Sequence, residues 1–291
     1  MMDSIPSPVL ETIRDILHPA ILQDFFLVSG GCISPGGRLA TSGGDYFIKW
    51  NYREKYPSMF ETEAKGLRIL HDTHSIRVNQ VTGLDECDGF QFIILEWINS
   101  SPETKNFWTL LGQRLAALHR HTAPSFGLDH DNYIGSLRQL NHPWNSWSDF
   151  FIQQRLEPQI RLATDNHHPV LSLRKKMESV YKKMSALLPE EKPALVHGDL
   201  WGGNVLTDEK GFPCLIDPAV CFGHREAELA FTQMFGRFDQ QFYHAYNDSF
   251  PLEPGFEERA GLYNLYPTLV HVNLFGGGYV QQAESIVSRF V

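Results

Sequence analysis

One stretch limits the folds open to this chain more than any other: His197-Gly198-Asp199-Leu200-Trp201-Gly202-Gly203-Asn204, followed thirteen residues later by Asp217 after the apolar run Pro213-Cys214-Leu215-Ile216. Two carboxylates and a carboxamide at these intervals reach a common centre only through a loop, a strand, a turn and a second strand. Phosphoryl-transfer enzymes use this spacing. An Asp receives the acceptor hydroxyl, an Asn five residues on ligates a metal, and a second acid after the next strand completes the metal site. The spacing assigns Asp199 as catalytic and Asn204 and Asp217 as metal ligands. A bare His-x-Asp triplet would say little, so the reading requires an ATP-binding sheet upstream.

The upstream half has the pattern of such a sheet. Short apolar runs, Phe25–Val28 and Tyr46–Trp50, alternate with the glycine turns Gly30-Gly31, Gly36-Gly37 and Gly43-Gly44, which predicts an antiparallel meander. Phe60, Ala64, Leu67 and Leu70 share one face of a helix expected over about 59–70, and the almost uniformly apolar run 90–98 reads as a buried strand. Lys49, near the end of a strand, is the candidate cation for the nucleotide phosphates. Glu63, on the next helix, is its candidate carboxylate, preferred over Glu61 because it lies beside the apolar face. Ser29-Gly30-Gly31-Cys32-Ile33 is neither GxGxxG nor a Walker A loop. Two adjacent glycines still let backbone N–H groups approach phosphate, with an ordinary tight turn as the alternative. Glu96-Trp97-Ile98 is placed by position to offer backbone groups to an adenine edge.

After Asn99-Ser100-Ser101-Pro102 the texture turns helical. Ser7-Pro8 is expected to cap a first helix with Val9, Ile13, Ile16 and Leu17 on one face. Beyond residue 102, Leu111, Leu115 and Leu118 mark one helix. Leu173, Met177, Val180, Met184 and Leu187 mark a second, and a third starts at Trp144–Phe151 and bends near Pro158. The expected architecture is α+β: an antiparallel sheet with one helix over residues 1–98, and a mainly helical lobe over 99–291 that carries the 197–217 motif on small strands.

Composition excludes more than it assigns. A chain of 291 residues that is 42% hydrophobic, 20% charged and of net charge −9 reads as an ordinary globular protein, without the basic face a nucleic-acid binder needs. No apolar run approaches a membrane span, and Met1-Met2-Asp3-Ser4-Ile5-Pro6 lacks the features of a secretory leader, so a cytoplasmic location is expected. Cys32, Cys87, Cys214 and Cys221 have no zinc-ligand spacing and should be thiols; the thirteen histidines form no convincing metal cluster. Cys32, among glycines, is either an oxidisable thiol beside the phosphates or an inert buried one.

Several segments carry a family resemblance: Gly30-Gly31-Cys32-Ile33, Met59–Ala64, Leu111–His119, Asp131-Asn132-Tyr133-Ile134-Gly135, the 197–204 loop, Asp217-Pro218-Ala219-Val220, Gly223-His224-Arg225-Glu226 and Asn273–Tyr279. On these the chain resembles the fructosamine kinases (ketosamine 3-kinases), relatives of aminoglycoside phosphotransferases within the two-lobed protein-kinase-like fold. The resemblance implies ATP and Mg²⁺ as cofactors and phosphorylation of the 3-hydroxyl of free or protein-bound ketosamines, which leads to deglycation. It also implies stacking of Trp201 on the sugar, as an alternative to packing under the loop, and a bracing role for Glu228. Arg225 and Glu226 are left between substrate contact and mutual pairing. Gly198 in place of the Arg of HRD, and Asp217-Pro218 in place of Asp-Phe-Gly, imply activity without activation-loop phosphorylation. A kinase for an aminoglycoside or amino alcohol and a nucleotide-binding pseudokinase scaffold are the alternatives; oligomeric state is not read.

Overall fold

The computed structural model describes residues 4–28 and 34–291, and its contacts divide the chain into two units. The first comprises Met1–Lys105 with Leu206–Asp217, the second Asn106–Val205 with Pro218–Val291. The chain passes between units three times, where the sequence offered one boundary, at residue 98.

The first unit opens with α1 (Ser7–Leu17). Pro6 takes the N-cap position, so Ser7 lies inside the helix rather than capping it, and Pro8 occupies the first turn, where its missing N–H removes nothing. Val9, Ile13 and Leu17 pack on Phe25, Leu39, Ile48 and Trp50, while Ile16 is left at the margin. Next come β1 (Leu22–Leu27), β2 (Gly36–Thr41) and β3 (Gly44–Tyr52), then α2 (Met59–Asp72), β4 (Arg77–Val78), β5 (Val81–Cys87) and β6 (Phe90–Glu96). Five strands form an antiparallel sheet in the order β1-β2-β3-β6-β5. Alternation along β3 sends Ile48 into the α1 core and Lys49, opposite Ile93 in β6, to the other face. On α2, Phe60, Ala64, Leu67 and Leu70 are buried, while Glu61 pairs with Lys65 in solvent.

The second unit begins with α3 (Phe107–Leu118), the hairpin β7 (Asn132–Ile134) and β8 (Leu137–Gln139), and α4 (Trp147–Phe150). A π-helical turn over Phe151–Leu156 precedes α5 (Glu157–Asp165), so the irregularity expected near Pro158 is an extra residue per turn just before it, with the proline in the first turn of α5. The apolar stripe read as one helix is split between α6 (Leu171–Tyr181) and α7 (Met184–Leu187) by Lys182-Lys183; Leu173, Met177, Val180 and Met184 are buried, and Leu187 is partly exposed. After β9 (Ala194–Val196) comes β10 (Val205–Thr207), where the chain rejoins the first unit. There β11 (Pro213–Leu215) lies between β10 and β4, parallel to β4. Back in the second unit, β12 (Cys221–Gly223) pairs antiparallel with β9, followed by α8 (Arg225–Phe231), α9 (Gln240–Ser249), α10 (Phe256–Tyr263), α11 (Leu265–Phe275) and α12 (Tyr279–Ser288). No helix among the described residues is long and apolar enough to cross a membrane. Cys87, Cys214 and Cys221 are free, and burial pushes the Cys214 thiol up to about 12, which makes it an inert hydrophobe.

Candidate active site

Within the first unit, three of the residues selected from sequence meet. Lys49 Nζ donates to Asp217 Oδ1 at 2.8 Å and lies 2.7 Å from Glu63 Oε1. Burial alone would lower the Lys49 pKa, but Asp217 and Glu63 outweigh it and raise it, so the ammonium stays charged. Burial raises the Glu63 pKa against the opposing pull of Lys49, with the Asp217 charge adding to the rise. Two acids therefore share one cation. Asp217 follows β11 with φ of 54°, a left-handed conformation that costs a non-glycine residue energy, though Asp tolerates it better than most. Its carboxylate keeps considerable exposure, 44%, while Lys49 and Glu63 are largely enclosed.

The other predicted nucleotide residues in this unit stand at the end of β6. The Glu96 N–H is already donated to Gln80 O, and its carboxylate accepts from Arg77 and from Gln80 N–H. Trp97 donates its indole N–H to Asn99 Oδ1 and packs near Phe47 and the Arg38 guanidinium; Ile98 is buried. Gly30, Gly31 and Cys32 lie outside the described residues.

Within the second unit, Asp199 and Asn204 meet. Asn204 Nδ2 donates to the Asp199 backbone oxygen at 2.8 Å and to its Oδ2 at 3.0 Å. A single 3₁₀ turn, Gly202–Asn204, closes the loop. Because the amide nitrogen is used on Asp199, the amide oxygen is the atom left for a cation. The Asn204 amide oxygen in the second unit and the Asp217 carboxylate in the first are each a hard oxygen donor. Among the described residues no cluster of three His, Cys, Asp or Glu forms a metal cage, and a cation that also binds substrate phosphates and water needs none.

The loop is held from behind. Gly198 has φ of +85°, and a Cβ there would stand 2.0 Å from Ala219 O, so the Arg found in HRD loops has no room here. Glu228, on α8, accepts the Gly198 N–H at 2.6 Å through Oε1, and the His197 N–H at 3.2 Å through Oε2. His119 reaches the same Oε2 at 2.9 Å and Tyr246 OH at 2.8 Å. Burial would raise the Glu228 pKa, but His119, His197 and the Gly198 N–H hold it below the ordinary carboxylate value.

A second buried network fixes the segment after Asp217. Asn132 donates to Val220 O at 2.8 Å, and Gln139 donates to Asn132 Oδ1 and Ala219 O. Asn141 joins at Asn132 Oδ1, Tyr266 OH bonds Gln139 Oε1, and Arg155 from the π-helical turn holds Asn141 Oδ1. Sequence reasoning quoted Asn132 and His119 in motifs but gave them no role, and missed Tyr246 and Gln139. His119 follows Leu115 by four residues and so continues the buried face of α3, which was the available signal.

Arg225 and Glu226 do not pair with each other. Neighbours on a helix point about 100° apart. Arg225 clamps Glu191 with two 2.7 Å bonds, while Glu226 takes Arg259 and Tyr263 OH. Trp201 covers Gly203, meets the Phe235 ring edge-on at 6.0 Å and keeps 38% exposure, so packing and an open face coexist. Phe235 continues to His271 at 4.9 Å, and His271 to Tyr279 at 5.0 Å.

The family model for fructosamine kinases matches residues 10–291. The chain belongs to the fructosamine kinase family. It is 40% identical over 278 residues to a Synechocystis protein named "Probable ketoamine kinase", covering 94% of this chain and 92% of that one. It is 37% identical over 269 residues to the chloroplastic protein-ribulosamine 3-kinase of Arabidopsis thaliana, covering 91% and 81%. A crystal structure of a candidate fructosamine-3-kinase from Thermobifida fusca superposes with a TM-score of 0.87 at 32% identity, covering 97% of both chains. The aminoglycoside phosphotransferase APH(4)-Ia, at 17% identity and a TM-score of 0.64, shares the fold. That fold is protein-kinase-like, and the α+β class read from sequence holds. Of the residues selected from sequence, Lys49, Glu63 and Asp217 meet in the first unit and Asp199 and Asn204 in the second.

Proposed function

We propose that this protein transfers the γ-phosphoryl group of ATP to the 3-hydroxyl of a ketosamine, a sugar rearranged onto an amine such as a lysine side chain. The observation that carries the reading is the buried Lys49 ammonium held by both Glu63 and Asp217, in a fructosamine kinase family chain whose Asn204 amide grips Asp199. A scaffold that only bound nucleotide would have no physical need for a positioned acid and amide at the acceptor position.

The roles follow from charge. Lys49 steadies the α- and β-phosphates, with its charge kept by its two acids. Gly30, Gly31 and Cys32, outside the described residues, stay the sequence's candidates for phosphate contact, and Ile98 with its neighbours Glu96 and Trp97 would offer main-chain groups to adenine, except the Glu96 N–H, which Gln80 O takes. Asn204 and Asp217 would hold Mg²⁺, which would neutralise phosphate charge during transfer. Asp199, oriented by Asn204, aligns the 3-hydroxyl. A bond forms from that oxygen to phosphorus as the bond from phosphorus to the leaving oxygen of ADP breaks, and the hydroxyl proton passes to Asp199. Trp201 offers an aromatic face to the sugar. Residues 1–98 would act mainly on the nucleotide and 99–291 on the acceptor. Phosphate is a better leaving group than hydroxide, so the 3-phosphate can eliminate and free the amine. A free or protein-bound ketosamine is the partner, and the cytosol the setting.

ATP consumption with fructose-lysine, ribulose-lysine, kanamycin and buffer tests the reading. Turnover with the sugar amines alone is expected, and Asp199→Asn should reduce kcat by about 10²–10⁴. Turnover with kanamycin alone, or none with any acceptor, would overturn it.

A further inference from the structure

Arg77 lies outside every motif, yet its guanidinium gathers three carboxylates. One nitrogen, Nη2, donates to Glu96 Oε1 at 2.7 Å; the other, Nη1, donates to Glu209 Oε2 at 2.7 Å and Asp208 Oδ2 at 3.1 Å. This is not a loose surface pair. Asp208 is buried, and its second oxygen accepts the Lys210 and Phe212 N–H groups. Burial would raise the Asp208 pKa, but those two N–H groups and Arg77 hold it low. Ser101 and Thr104, just past the end of β6, bind Asp208 O and Gly211 O through both backbone and hydroxyl.

The placement gives these contacts a consequence. Arg77 begins β4, a strand of two residues whose parallel pairing with β11 is confined to Cys214 opposite Arg77 and Leu215 opposite Val78. So short a pairing fixes register poorly on its own. Yet Asp217 comes two residues after β11 ends and must reach Lys49 Nζ at 2.8 Å in a strained backbone conformation. The planar fork of Arg77 supplies what the short pairing lacks, by tying the 208–212 turn that feeds β11 to the end of β6.

We propose that Arg77 is a positioning residue that sets Asp217 relative to the 96–98 segment, so that the metal-ligating acid and the adenine-facing backbone act as one rigid piece. The inference rests on the kinase reading above. Arg77 touches neither substrate nor cofactor; it acts through Glu96 and the turn.

The test is binding of AMP-PNP, a non-hydrolysable ATP analogue, measured calorimetrically with and without Mg²⁺, together with the Mg²⁺ dependence of turnover. Arg77→Met should raise the Mg²⁺ concentration for half-maximal activity by about 10–100-fold, the range for lost outer-shell support of a metal ligand, while KM for the ketosamine stays put. Arg77→Lys, which keeps the charge but loses the fork, should fall between. Glu209→Gln, at a half-exposed partner, should shift the Mg²⁺ midpoint in the same direction by less. A purely structural role would lower the active fraction and leave that midpoint unmoved; an unmoved midpoint in Arg77→Met and Glu209→Gln overturns the inference. Absence of any AMP-PNP binding by the wild-type protein would instead overturn the kinase reading, and the inference with it.

Discussion

Glu228 shows how a single side chain can fix the 197–204 loop. It is buried, accepts two successive backbone N–H groups at His197 and Gly198, and takes His119 on the same carboxylate. A carboxylate so satisfied is stabilised in its charged form, which is why its folded pKa is lowered from 4.5 despite burial. Below 4.5 the unfolded chain binds the proton more readily than the folded one. The stabilisation from Glu228 is therefore complete above about pH 4.5 and is lost as pH falls through the lower folded value. Urea unfolding of wild type and Glu228→Gln, run from about pH 7 to about pH 3, checks this. The difference in unfolding free energy should be constant at the upper end and shrink towards the acid end; a constant difference throughout would contradict the bracing role. Gly198 complements Glu228, since only a residue without Cβ lets the loop lie on Ala219 O.

At the scale of elements, the hairpin β7–β8 is small but does more than fill space. Its buried Asn132 and Gln139 hold Val220 O and Ala219 O, and Ala219 N–H in turn bonds His197 O. Asn132→Ala would strand Val220 O and deprive Gln139 and Asn141 of a shared acceptor, at roughly 1–3 kcal/mol for each buried group left unpaired. Arg138→Ala, on the same hairpin, removes an exposed pair with Asp131 and should cost about 1 kcal/mol or less. Urea midpoints separate the two, with Asn132→Ala also expected to reduce kcat because the buttress lies directly beneath the catalytic loop. The contrast marks what the sequence could disclose. Apolar runs located β3 and β6, and a period-3.6 pattern located α2, because those signals are local. The nearness of Lys49, Glu63 and Asp217 followed from matching a spacing to known chemistry. The contacts of His119 with Tyr246, of Gln139 with Tyr266 and of Arg77 with Asp208 join residues more than a hundred positions apart, and no local pattern encodes them. For the same reason the stripe running through Lys182-Lys183 read as one helix: periodicity continued across a break that only packing fixes.

For the whole molecule, the question is what switches the enzyme on. Protein kinases hold a long segment after their metal-binding Asp in check and release it by phosphorylation. Here seven residues, Pro218–His224, separate Asp217 from α8, and they are spoken for. Pro218 has a fixed φ; Ala219 bonds His197; Val220 accepts from Asn132; Cys221–Gly223 form β12 against β9; His224 caps α8 through the Glu226 N–H. The partner that a phosphorylated loop would seek, an arginine in the position before Asp199, is replaced by Gly198, where no side chain fits. With these backbone groups engaged and glycine at position 198, a phosphate on the segment would find no arginine there to draw it into a second state. Recombinant protein shown by mass spectrometry to be unphosphorylated should therefore turn over ketosamines at its full rate, and phosphatase treatment of protein from a eukaryotic host should leave kcat unchanged. An unmodified protein that is inert until a kinase acts on it would show that some element outside the 217–224 segment carries a switch.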